Sequence, residues 1–127
     1  ACISNILGKK MINEILCLQA LMWGEARGEG NMGMVATAYT AINRKADPNY
    51  PKTICEIIRQ PKQYQFIDYG MPTKTQIAYL EPLAKAILEK RISDPTRGAK
   101  WFHTKNIKPY WAKDKTIKLS YNNHIFY

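Results

Sequence analysis

The tightest constraint on the fold is a stretch that is apolar on nearly every side when wound as a helix. Over residues 9–27, Ile12, Ile15, Leu16, Ala20 and Trp23 recur with 3.6-residue spacing on one face. Leu18, Leu21 and Met22 cover much of the other side. Such a helix has no face to give to water, so it is predicted to run through the centre of the molecule with other elements wrapped around it. Gly28 and Gly30 predict its end. The uncharged run from Ile15 to Gly24 falls well short of the roughly twenty apolar residues a membrane span needs, so no span is expected. A chain of 127 residues has room for one core of this kind, and a single domain over residues 1–127 is expected.

The remaining chain reads as shorter pieces. Residues 31–46 are predicted to be a second helix, with Met32, Val35, Ala36, Tyr39 and Ile42 periodic and with Ala36, Ala38 and Ala41 small enough for close packing. Asp47-Pro48-Asn49-Tyr50-Pro51 breaks it. Thr53 is the expected N-cap of a short helix, with Glu56 reaching back to it, and Pro61 closes that segment. Residues 61–74 are irregular and aromatic. Residues 75–91 read as a helix that Pro82 either kinks or restarts at its first turn. After the Asp94-Pro95-Thr96-Arg97-Gly98 turn the pattern becomes strand-like at Trp101–His103, Thr116–Tyr121 and His124–Tyr127, with Asn122-Asn123 placed to turn a hairpin. The expected fold class is α+β, mostly helical, with a small C-terminal antiparallel sheet.

Charge and cysteine count narrow the function. Nineteen Lys and Arg against ten Asp and Glu leave +9, concentrated in residues 85–127. That surface would steer the chain toward anionic polymers: nucleic acid, an anionic membrane surface or an acidic wall polymer. The basic residues are dispersed and mostly Lys, which points away from nucleic acid, where Arg forks are the usual readers. Cys2, Cys17 and Cys55 can form at most one pair, and Cys17 and Cys55 read as small buried hydrophobes. His103 and His124 lack any zinc-site spacing, so no metal is expected. The chain opens on Ala with no signal-peptide pattern, so a processed or trimmed chain is expected.

Chemistry concentrates at Trp23-Gly24-Glu25-Ala26-Arg27-Gly28-Glu29. If the helix holds to Arg27, Glu25 emerges on the apolar face of Leu18, Leu21 and Met22. Desolvation and the negative end of the helix dipole then both favour its protonated form. A carboxyl that keeps its proton near neutral pH is what a general acid for glycosidic cleavage needs. The plainer reading is a solvated Glu at a frayed helix end.

The same segment, followed by Gly33, Val35-Ala36 and Asn43-Arg44, resembles the SleB-type cell wall hydrolases, which include spore-cortex lytic enzymes and bacterial and phage peptidoglycan hydrolases. The likeness continues in order through Tyr50–Glu56, Gln65-Phe66, Asp94-Pro95-Thr96 with Gly98-Ala99, Phe102-His103, Pro109–Ala112 and His124–Tyr127. It implies a lysozyme-like fold that cleaves glycan between N-acetylmuramic acid and N-acetylglucosamine, with the family's essential glutamate falling on Glu25. In a lytic transglycosylase that residue protonates the leaving oxygen and its conjugate base helps the muramoyl 6-hydroxyl close onto C1. No metal or cofactor enters that scheme. The chain departs from the family at Arg97 and Asn123, where Gly is usual, and at Lys100-Trp101 before Phe102.

Hydrolysis would require a second carboxylate at a defined separation. Glu29, Asp68 and Asp94 are available. Glu29 reads as a loop residue paired with Arg27, Asp94 as a turn or cap residue, and Asp68 as a cleft candidate. The absence of an obvious partner favours the transglycosylase route over a muramidase. Tyr64, Gln65, Phe66, Trp101, His103 and Trp111 are the expected sugar-binding residues, Gln65 and His103 as polar cleft-facing groups, while His124 is expected to be structural. Peptidoglycan glycan strands are the expected partner, with no nucleic acid and no membrane span, acting as a monomer at the cell wall, outside the cytoplasm, as a phage lysin or virion component or a trimmed spore enzyme. The rivals are an amidase, using zinc or a Cys–His pair, and a basic binding module that would be indifferent to Glu25→Gln.

Overall fold

The computed structural model describes residues 2–61 and 63–127, with side chains described from Asn13 onward; the side chains of Cys2 and Ile12 lie outside the described residues. Helix α1 spans Cys2–Ala26, α2 Gly30–Lys45 and α3 Ile54–Ile58. A 3₁₀ turn at Gln65–Tyr69 leads to α4 (Lys74–Ile77), a second 3₁₀ turn at Ala78–Leu80 and α5 (Glu81–Leu88). Strand β1 (Phe102–Thr104), a 3₁₀ turn at Tyr110–Ala112, and strands β2 (Leu119–Tyr121) and β3 (His124–Phe126) complete the chain.

Helix α1 is the central element the pattern predicts. It packs against α2, α3, α4 and α5, and Leu18, Ala20, Leu21 and Met22 are fully buried among them. Each of the leucines and the methionine contributes about 1.5–3 kcal/mol of burial. Its one buried polar residue in this stretch, Gln19, is satisfied: the amide donates to the Ile77 carbonyl at 2.9 Å, where α4 tightens into the 3₁₀ turn. The helix begins earlier than its apolar periodicity predicts, and no proline interrupts residues 2–8.

Cys17 and Cys55 are not separate buried thiols. They form a disulfide that ties α1 to α3. Glu14 joins the same two helices, its carboxylate accepting the Ile54 backbone N–H at 2.7 Å. The α3 start is also capped by Thr53, whose hydroxyl accepts from Glu56 N and donates to the Glu56 carboxylate.

The expected single helix over 75–91 is three pieces, and Pro82 stands in the first turn of α5. A full capping box at Thr73 and Gln76 starts α4.

The three strands form an antiparallel sheet in the order β1–β3–β2, with Phe102, Leu119 and Phe126 in one register row and Thr104, Tyr121 and His124 in another. The β2–β3 turn is at Asn122-Asn123 as predicted, with Asn122 at φ 47°. The sheet is tied to the helices by α2. Asn43 donates to the Asp94 carboxylate and to the Ala99 carbonyl, both at 2.9 Å. Arg44 donates from Nε to the Lys100 carbonyl at 2.7 Å. Asp94 in turn accepts from Thr96 N and Gly98 N, so it is the turn residue the sequence predicts.

Candidate active site

Glu25 occupies the last turn of α1, where that helix leaves the core. It sits between two clefts, of about 540 Å³ and about 500 Å³, and lines both. Gln65, exposed, is the other residue common to the two. No other Asp or Glu lines either cleft among the described residues.

The acid is held by the segment that crosses beneath it. Phe66 N donates to Glu25 Oε1 at 3.3 Å. Phe66 can approach this closely because residue 24 is glycine. A Cβ there would lie 2.3 Å from the Phe66 ring and 2.5 Å from its Cβ, where no rotamer change relieves the clash. Burial raises the Glu25 pKa above the ordinary carboxylate value, while the Phe66 and Gln65 backbone amides pull it partly back. Burial is the larger effect, so the carboxyl is biased toward its protonated, proton-donating form.

The larger cleft runs from Glu25 to the sheet. Trp101 and Trp111, both half-buried, line it with Phe102, and Lys115 Nζ lies 3.5 Å from the Trp101 ring centroid. The smaller cleft runs over the Gln65–Tyr69 turn. Trp23 and Phe66 line it, and Arg27 stacks on Trp23 at 4.0 Å and donates to the Trp23 carbonyl. Aromatic faces flanking a carboxyl on both sides suit a linear saccharide threaded across it.

Several residues sit differently from expectation. Tyr64 is buried at 2% exposure and lines neither cleft; its hydroxyl meets Thr40 Oγ1 at 3.1 Å. Phe66 is mostly buried in the core, yet it lines the smaller cleft and its backbone N–H meets Glu25. His103 lines the larger cleft, but both ring nitrogens are engaged within the protein, Nε2 with Tyr127 Oη at 2.8 Å and Nδ1 with the Thr104 carbonyl at 2.7 Å. Asp68 is exposed and lines neither cleft.

Glu29 does not pair with Arg27. It is buried, and its carboxylate accepts from Asn123 N at 2.9 Å and Asn123 Nδ2 at 3.1 Å, with His124 Nδ1 3.5 Å away. It thereby docks the start of α2 on the β2–β3 turn. Sequence spacing could not reveal a partner more than ninety residues away. A usable signal was Gly33, since a Cβ there would lie 2.4 Å from Glu29 Cβ. Arg44 was also missed as a cleft residue. It is buried at 4% exposure, its guanidinium 5.2 Å from both the Tyr50 and Tyr64 rings.

The family model described as Cell Wall Hydrolase matches residues 28–127. The chain belongs to the cell wall hydrolase family. Among related cell wall hydrolases, it is 29% identical over 121 residues to a spore cortex-lytic enzyme of Bacillus cereus, covering 90% of this chain and 44% of that protein. It is 30% identical over 118 residues to the spore cortex-lytic enzyme of Halalkalibacterium halodurans, covering 90% of this chain and 34% of that one. The chain therefore spans less than half the length of these relatives. Its fold is similar to the crystal structure of the catalytic domain of the Bacillus cereus SleB protein (TM-score 0.73, 26% identity, 90% of this chain and 88% of that one). It is also similar to the catalytic domain of the germination-specific lytic transglycosylase SleB from Bacillus anthracis (TM-score 0.71, 26% identity, 90% and 93%). The family match begins at Gly28 and does not include Glu25.

Proposed function

We propose that this chain cleaves the glycan strand of peptidoglycan between N-acetylmuramic acid and N-acetylglucosamine, as a lytic transglycosylase with Glu25 as general acid and then base. The observation that carries the reading is a single carboxyl, biased toward its protonated form by burial, at the junction of two aromatic-lined clefts. The glycan lies across the junction with the scissile oxygen at Glu25. The Glu25 proton passes to that oxygen as the C1–O bond breaks. The muramoyl 6-hydroxyl then closes onto C1 and its proton returns to Glu25, leaving a 1,6-anhydro end. The regenerated carboxyl is ready for another cycle.

The lack of a second carboxylate along either cleft among the described residues favours this route over a muramidase, which needs one to activate water or to attack C1. An amidase using a thiolate from Cys17 or Cys55 is disfavoured because both sulfurs are bonded to each other. Action outside the cytoplasm, in a periplasmic or extracellular setting, fits that disulfide, since such bonds persist in oxidising compartments. Digestion of purified peptidoglycan with mass spectrometry of the new ends tests the reading. Anhydro-muramoyl ends are expected; reducing muramoyl ends would replace it with a muramidase, and freed stem peptides with an amidase.

A further inference from the structure

The larger cleft contains a second polar group whose chemistry the reaction above does not use. His124 lines it and is itself buried at 5% exposure. Its Nδ1 edge is turned inward, 3.5 Å from Glu29 Oε1, and has no closer partner among the described residues. Nε2, on the far side of Cε1 from Nδ1, is not among the fully buried unpartnered atoms and has no hydrogen-bond partner among the described residues, so it is the nitrogen available to the cleft that His124 lines. Phe102, edge-on at 5.0 Å, fixes the ring plane. Glu29 is fixed as well, by two donors from Asn123 and by a bare Gly33 that leaves space for its Cβ.

The contrast with His103 is chemical. Thr104 and Tyr127 occupy both nitrogens of His103, so it has none to offer a sugar. His124 has a carboxylate behind Nδ1, which favours the tautomer with the proton on Nδ1 and leaves the Nε2 lone pair free. We propose that His124, oriented by Glu29, is a substrate-contacting residue that accepts a hydrogen bond from a sugar hydroxyl through Nε2. This rests on the glycan-cleaving reading and adds to it a polar specificity contact away from Glu25.

Protonating His124 destroys the acceptor, so the contact is pH-sensitive. The groups facing the ring are Glu29 from the loop before α2, His103 on β1, Tyr121 opposite it on β2, and Glu25 and Arg44 along the cleft. Burial and His103 disfavour the charged ring, whereas Glu29 favours it. Burial dominates, so the ring is neutral, and the acceptor present, at neutral pH.

The test uses the Glu25→Gln variant, whose turnover is expected to be slow enough for binding to be measured and which removes the Glu25 carboxyl from the cleft. Binding of a peptidoglycan-derived tetrasaccharide is measured from pH 4 to pH 8, with the imidazole resonances followed by NMR. The tetrasaccharide is expected to shift the His124 Nε2 signal and leave His103 in place. Binding is expected to weaken as pH falls through the His124 titration. Adding Glu29→Gln moves that fall to lower pH, because the carboxylate that favoured the proton is gone. In the otherwise native enzyme, His124→Phe keeps the ring packing and is expected to raise KM about three- to tenfold, the worth of one hydrogen bond, with kcat nearly unchanged. His124→Gln, which restores an acceptor, recovers part of the loss. An unchanged KM in His124→Phe, or a ring signal blind to saccharide, overturns the proposal. Failure of the native enzyme to digest peptidoglycan would instead remove the glycan-cleaving reading.

Discussion

The two walls that flank Glu25 are built on different physics. The wall at residues 65–72 holds the acid by close approach: a bare Gly24 lets Phe66 sit against α1, and a backbone N–H reaches the carboxylate. The sheet wall is held by long-range polar wiring, with Asn43 and Arg44 gripping the 94–100 loop and Glu29 gripping the β2–β3 turn. Position on the first wall depends on excluded volume, which tolerates almost no change. Position on the second depends on several hydrogen bonds, which can be lost one at a time.

The largest expected effect falls on the group both walls serve. Glu25→Gln should reduce peptidoglycan cleavage by about 10²–10⁴-fold, the usual worth of a positioned acid–base group. The same substitution carries a stability signature. Because burial raises the Glu25 pKa in the folded state, its proton favours folding at low pH, and that contribution is lost as pH rises through the folded pKa. The variant should therefore melt higher than the native protein on the alkaline side of that titration and converge with it in acid, as thermal denaturation across pH would show. Equal melting temperatures at every pH would mean that the carboxyl is not desolvated.

Removing the disulfide should cost about 2–4 kcal/mol, since a link across 38 residues restricts the unfolded chain strongly. Denaturant unfolding of the Cys17→Ala, Cys55→Ala double variant would measure it. Gly24→Ala tests the close-approach wall. Helix propensity alone would stabilise it by up to about 1 kcal/mol. The clash with Phe66 opposes this, and overpacking typically costs about 1–3 kcal/mol, so the net effect should be destabilising. Activity should fall further than stability explains, because Phe66 N moves away from Glu25. A stabilised, fully active Gly24→Ala protein would erase the distinction between the walls. The smallest effect belongs to the wired wall. Arg97 sits at φ 55° and donates to the Lys118 carbonyl at 3.1 Å. Arg97→Gly relieves about 1 kcal/mol of backbone strain and loses an exposed hydrogen bond of similar worth, so the melting temperature should barely move.

Legibility from sequence followed the range of the interaction. The central helix, an interruption at Pro82, the Asn122-Asn123 turn and the Asp94 turn were readable because each depends on neighbours a few residues apart. Glu25 was readable as an acid on an apolar face for the same reason. The cysteine pairing was not, because two apolar helices look alike whether their thiols touch or not. The two histidines show how little the surroundings in sequence say about a ring's partners. His103 stands beside aromatic residues and reads as a free polar group, yet Tyr127 and Thr104 consume its nitrogens. His124 reads as structural, and it is indeed buried beside Glu29, yet it also lines the larger cleft.

The order of residues alone determined that an all-round apolar helix must be buried, that it stops at the glycines after Arg27, and that a carboxyl is left where it emerges from the core. Those outcomes follow from 3.6-residue geometry and desolvation, which act locally along the chain. Tertiary structure alone decided that this carboxyl lines two clefts with no second acid among the described residues, that Glu29 stands behind His124, and that both nitrogens of His103 are taken up within the protein. Each of these depends on which distant groups meet in space, and hydrogen-bond partners dozens of residues apart leave no periodic trace in a sequence.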